Sequence, residues 1–99
     1  MKVLVQNRYF PKLGKEKEVY ALRLHASEVR AKLGAPRGRV FKEKPDNGEA
    51  CVVWECEYPS QDARIKDVRH MKESIEFTKI RKQMRALLER FERTVREIE

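Results

Sequence analysis

The run Ala50-Cys51-Val52-Val53-Trp54-Glu55-Cys56-Glu57-Tyr58 constrains this chain more than any other stretch. β-branched and aromatic residues dominate it, a Pro45-Asp46-Asn47-Gly48 turn cluster precedes it, and Pro59 ends it by removing a ladder donor. It reads as a central β-strand. Alternation sends Cys51 and Val53 to one face and Val52, Trp54, Cys56 and Tyr58 to the other, so both faces carry apolar groups. A chain of 99 residues and 11.8 kDa has room for a single domain, residues 1–99, with a modest core. Its own helices can clothe one face of such a strand. The second face needs another cover, and the expected cover is a second copy of the same sheet, giving a homodimer.

The remaining segments arrange themselves around that strand. Residues Val3 to Phe10 alternate, with Val3, Val5, Asn7 and Tyr9 on one side and Leu4, Gln6, Arg8 and Phe10 on the other, and Pro11 closes this first strand. From Lys15 to Leu33 the apolar positions Val19, Leu22, Ala26, Val29 and Leu33 recur at steps of three and four, which predicts a helix capped by Gly34 and stopped by Pro36. Arg39 to Lys44 is short and polar, as suits a sheet edge. Ser60 caps a second helical stretch through Ala63, Ile65, Val68 and Met71. Ser74 restarts the pattern through Phe77, Ile80, Met84, Leu87, Leu88 and Phe91. In the tail, residues 92–99, Val95 and Ile98 prolong the stripe, and periodicity alone favours helix there. If the tail is instead a strand, the order is βαββαβ, a ferredoxin-like α+β arrangement with a four-stranded antiparallel sheet and helices on one face.

Composition narrows the partners. Lys and Arg number 23 against 16 Asp and Glu, a net charge of +7, and the two signs are interleaved along the helices. That pattern predicts a solvated, salt-bridged surface of thermophile-like composition and argues against nucleic acid as the partner. Cys51 and Cys56 lie on opposite faces of one strand, about 16 Å apart at roughly 3.3 Å per residue, and cannot pair there. They read as buried, reduced thiols of a cytoplasmic protein. Met1-Lys2 leads directly into a strand pattern and no apolar run approaches membrane-spanning length, so neither a signal peptide nor a membrane partner is expected.

Three places resemble the dimeric α+β barrel superfamily, in particular its antibiotic-biosynthesis-monooxygenase, small haem-degrading and NIPSNAP-like branches. Gln6-Asn7-Arg8 followed by Lys12-Leu13-Gly14-Lys15 is similar to the first strand and its turn into the first helix. Cys51-Val52-Val53-Trp54-Glu55 resembles the apolar third strand. His70, then Ser74-Ile75-Glu76-Phe77, then Leu87-Leu88 and an Arg/Val/Ile tail are similar to a signature that precedes a last strand. The resemblance implies that the tail is a strand, that two sheets pack into a barrel, and that a cavity lies between sheet and helices of each subunit. In haem-degrading members a strand-one Asn, a strand-three Trp and a His one turn beyond the helix Phe define the site. Asn7 and Trp54 match by position, whereas Arg81 stands where the histidine would be. An always-protonated guanidinium cannot ligate iron, so no cofactor and no metal are expected.

The resemblance and the residue types together single out a set of side chains. Asn7 is polar in an apolar strand, where an amide must find partners, and it can hold a ligand carbonyl. Trp54 offers a wall for an aromatic ligand. His25, beside the Leu22/Val29 stripe, and His70 are the candidate bases. Tyr9 and Tyr58 can supply hydroxyl donors, and Arg81 can clamp an anion. Glu55 in a central strand calls for a salt bridge with an arginine. No Ser/His/Asp set, paired-carboxylate motif or phosphate-cradling glycine loop is recognisable, which leaves little scope for hydrolases, kinases and dehydrogenases. The expected function is binding of a small aromatic ligand, with cofactor-independent oxygenation or isomerisation as its chemistry. The alternatives are a non-catalytic assembly or sensing module, and an RNA-binding domain of the same strand order. The last lacks the aromatic-glycine run that stacks bases.

Overall fold

The computed structural model describes residues 1–45 and 48–99. Seven elements follow one another: β1 (Lys2–Pro11), α1 (Glu16–Lys32), β2 (Arg39–Glu43), β3 (Cys51–Tyr58), α2 (Gln61–Glu73), α3 (Ile75–Leu87) and β4 (Leu88–Ile98). The strands form one antiparallel sheet in the order β2-β3-β1-β4. This is the ferredoxin-like βαββαβ arrangement with its second helix broken in two. The break falls at Ser74, whose extended backbone ends α2, and whose hydroxyl accepts from the Phe77 amide to open α3. Ser60 caps α2 in the same way through the Ala63 amide. The Pro45–Gly48 turn expected between β2 and β3 includes residues outside those described.

Alternation along β1 and β3 sets the layers. Val3, Val5 and Tyr9 join Val52, Trp54, Cys56 and Tyr58 beneath Val19 of α1 and Met84 of α3. A second cluster, Ala26, Val29, Met71, Phe77 and Ile80, locks the three helices together. The opposite face has no helix, yet Val53 there is 0 % exposed. Phe10 and Cys51 are buried beside it, with Phe41 packed against all three. Long side chains complete the seal: the Arg90 guanidinium lies 3.8 Å from the centre of the Phe10 ring and is ion-paired to Glu49, and Arg8 pairs with Glu43. The chain therefore clothes part of its own second face, with stems and charged heads spread over rings. The apolar area left for a second copy to cover is smaller than strand alternation alone implies.

The end of α3 also differs from the sequence reading. The helical stripe was expected to run through Leu88 and Phe91, but the helix stops at Leu87, whose carbonyl accepts from the Lys12 amide, and the strand begins at once. Phe91 and Val95 are four residues apart, an even number. That spacing puts them on one face of a helix and equally on one face of a strand. Pairing with β1 along nearly its whole length decides between the two, because it satisfies the backbone groups that β4 turns toward β1.

Glu55 lies on the helix-free face, buried, where it accepts from Gln6 Nε2 at 2.7 Å and pairs with Arg39. The Gln6 hydrogen bond, opposed by burial and assisted by Arg39, holds its carboxyl below the usual carboxylate range. The folded state thus binds this proton less readily than the unfolded chain. Its stabilising contribution is complete above the ordinary carboxylate range and is lost as pH falls through that range to the lowered folded value. Glu55→Gln is expected to show a smaller drop in Tm than the wild type when thermal unfolding is followed from neutral pH to about pH 3.

Candidate functional site

A cavity of about 410 Å³ lies between the sheet and the helices. Its floor is Val5, Asn7 and Tyr9 of β1 with Trp54 and Tyr58 of β3, and its roof is Phe77, Ile80 and Met84 of α3. The space exists because α2 fills it poorly. Met71 is the one buried residue of that helix, and Arg64, Asp67 and Lys72 face the void between its few apolar groups. The volume falls within the range typical of small-molecule sites, roughly 300 to 1,000 Å³.

Two polar groups of different character occupy the walls. Toward β4, the Asn7 carboxamide oxygen accepts from Arg93 Nε at 2.9 Å, and its nitrogen donates to the Tyr9 hydroxyl at 3.3 Å. The Tyr9 ring packs on Phe91 at 5.2 Å between centroids. Toward α2, Arg30 donates to Asp67 at 2.7 Å, to the Tyr58 hydroxyl at 3.2 Å and to the Pro36 carbonyl at 2.8 Å, while Tyr58 donates to Asp67. Burial, reinforced by that bond to Asp67, raises the Tyr58 phenol well above its ordinary value, so Tyr58 stays a neutral donor. Burial alone would lower the Arg30 pKa; the hydrogen bonds to Asp67 and Tyr58 and the Asp67 charge outweigh it, and the guanidinium stays protonated.

Trp54 joins the two ends. Its Nε1 donates to the Arg37 carbonyl at 3.0 Å, which leaves the ring faces as wall. The guanidinium of Arg30 lies 4.6 Å from the ring centre and that of Arg23 4.8 Å. The backbone fits so closely here that only glycine serves at position 38. Gly38 has φ +73°, and a Cβ on it would lie 2.3 Å from Trp54 Nε1.

Five of the seven side chains singled out from the sequence line this cavity: Asn7, Trp54, Tyr9, Tyr58 and Arg81. The two histidines do not. The buried arc of α1 runs through Val19, Arg23, Ala26 and Arg30, slightly round from the stripe as read, and this turns His25 to solvent. His70 is exposed and its Nε2 meets the Leu33 carbonyl at 3.1 Å, so it serves an otherwise unpartnered group at the end of α1. With no histidine on its walls, the cavity lacks the residue that the haem-degrading resemblance places one turn beyond Phe77, and Arg81 lines it there instead. Sequence reasoning missed Arg23, Arg30, Asp67 and Arg93. Arg23 and Arg30 are seven residues apart on the same helix face as Val19 and Ala26, and that spacing was the available signal.

No protein-family model matches the chain, and no curated protein matches it. Solved structures share its fold. A NIPSNAP family protein from Agrobacterium tumefaciens strain C58 is 19% identical, with 98% of this chain and 92% of that one covered and a TM-score of 0.76. A dimeric protein of unknown function with a ferredoxin-like fold from Bacteroides fragilis is 14% identical over 98% and 96%, TM-score 0.72. SnoaB, a cofactor-independent oxygenase from Streptomyces nogalater, is 17% identical over 99% and 93%, TM-score 0.69. The fold is thus that of the NIPSNAP and antibiotic-biosynthesis-monooxygenase-like proteins. Among the described residues no helix is long and apolar enough to cross a membrane.

Gly38→Ala tests how tightly the wall is built. Left-handed strain and the clash with the indole are expected to cost about 1 to 3 kcal/mol in denaturant unfolding. Because Trp54 is the sole tryptophan, its fluorescence maximum is expected to shift red in the folded variant.

Proposed function

We propose that this chain binds a small aromatic molecule between sheet and helices, and that two copies associate through the helix-free faces of their sheets. The observation that carries the reading is the cavity itself: aromatic walls from Tyr9, Trp54, Phe77 and Phe91, with the Asn7 carboxamide set among them. Aromatic faces supply contact area with little entropy loss, and one fixed amide orients a ligand oxygen. The likeness to a cofactor-independent oxygenase supports oxygenation of an electron-rich ring, in which the ligand supplies the electrons, one oxygen atom of O₂ enters it and the other leaves as water. In that chemistry Asn7 holds the ligand oxygen, Tyr9 and Tyr58 border the ring, and Arg81 stands at the margin.

One observation favours a second reading, a binding module without turnover. No histidine lines the cavity, and its one carboxylate, Asp67, is already engaged by Arg30 and Tyr58. Oxygen uptake on mixing with hydroquinones and anthrone-type compounds separates the two, since a binding module consumes none. Association is supported by the helix-free face, where Leu4, Phe41 and Ile98 stay partly exposed around the sealed centre.

Aromatic ligands are expected to quench Trp54 fluorescence and raise Tm. Asn7→Ala is expected to weaken binding about tenfold, the worth of one hydrogen bond of roughly 1.4 kcal/mol. Unchanged affinity in both Asn7→Ala and Trp54→Phe, followed by thermal shift, would remove the cavity from consideration as the site. For association, light scattering at micromolar concentration is expected to return twice the 11.8 kDa chain mass. A stable single chain would refute that half of the reading.

A further inference from the structure

The cavity is strongly one-signed. Arginines reach it from four elements, Arg23 and Arg30 from α1, Arg64 from α2, Arg81 and Arg85 from α3, and Arg93 from β4, against the single carboxylate of Asp67. Most of these are accounted for by solvent or by a partner. Arg30 is satisfied three times over, Arg93 bonds Asn7, and Arg81 and Arg85 are exposed. Arg23 is the exception. Its residue is 4 % exposed, it has no ion pair among the described residues, and its Nε has no hydrogen-bond partner.

An unpaired guanidinium at that depth is costly, and the rings nearby relieve it only in part. Trp54 and Tyr9, at 4.8 and 6.0 Å, attract the charge but accept none of its five N–H donors as a carboxylate would. Burial lowers the Arg23 pKa, and the like charge of Arg30 lowers it further. Asp67 gives its Oδ2 to Arg30 and Tyr58 and makes no ion pair or hydrogen bond with Arg23. Arg23 lines the cavity, and a low-dielectric pocket of one sign draws in an anion of the other.

We propose that the ligand is an aromatic carboxylate, its ring against Trp54 and Tyr9 and its carboxyl group taken by the Arg23 guanidinium as a two-point pair. This inference rests on the cavity being the ligand site. It adds that the ligand is an anion and that Arg23 sets the preference. The protein then keeps an uncompensated charge when empty, which becomes paired only in the complex.

The test uses the full chain and two isosteric probes, 2-naphthoate and 2-naphthamide, in titration calorimetry and thermal shift, with Arg23→Met and Arg23→Lys beside the wild type. The wild type is expected to bind the acid at least tenfold more tightly than the amide. Arg23→Met is expected to lose that preference while keeping its amide affinity and to melt, without ligand, no lower than the wild type, because it removes a buried unpaired charge. Binding gets worse while stability does not, which a purely structural arginine would not produce. Arg23→Lys, keeping charge and losing the fork, is expected to retain only part of the preference. Equal affinity of the wild type for both probes overturns the inference and leaves the cavity reading standing, as does a preference that survives in Arg23→Met or, should that variant not fold, in full in Arg23→Lys. Binding of neither probe overturns both.

Discussion

Trp54 is held on every side by different physics, and the rest of the site depends on that. Its N–H is tied to a loop carbonyl, a glycine without a Cβ lets the backbone reach its edge, and two guanidiniums lie within 5 Å of its ring. A ring fixed so cannot rotate into the space beside it, and the cavity stays open where a looser aromatic would have collapsed into it. The same indole fixes the two arginines. Arg30, stacked there, reaches Asp67 on α2, so the position of a helix follows from the orientation of one side chain on β3.

The sheet makes this arrangement affordable in a chain so short. Alternation along β1 and β3 divides apolar from polar work: Val5, Tyr9, Trp54 and Tyr58 go to the helices, while Gln6, Arg8 and Glu55 go to the other face with Phe10 and Val53. On that second face the polar groups do not interrupt the apolar ones but roof them. A strand that is apolar on both sides can thus be reconciled with water to a considerable degree before any association, which is consistent with a surface so rich in arginine and glutamate.

What could be read from the sequence follows the range of the interactions involved. Strand alternation, the α1 repeat and the Ser60 and Ser74 caps are local patterns, and they were legible with small boundary errors. The start of β4 was not, because the even spacing of Phe91 and Val95 serves both periods and long-range pairing with β1 chooses between them. Among the site residues, those on β1 and β3 were legible because a polar or aromatic group in a buried strand has few places to point. Those on the helices, Arg81 apart, and Arg93 on the doubtful tail were not. His25 and His70 stand out by their chemistry and face solvent, whereas Arg23 and Arg30 carry the spacing of the buried arc of α1 without its apolar character, so hydropathy hides them.

Ser74, which ends one helix and begins the next, leaves α2 attached to the body in an unusual manner. With Met71 as its one buried residue, this helix is fastened chiefly by directional contacts, the Arg30–Asp67–Tyr58 cluster at its middle and the His70–Leu33 contact near its end. Oily contacts yield gradually under displacement, whereas charged and hydrogen-bonded ones hold over a few tenths of an ångström and then let go. The outer wall of the chamber therefore keeps its place through a few discrete attachments, and the chain passes from it into the roof helix at a single serine.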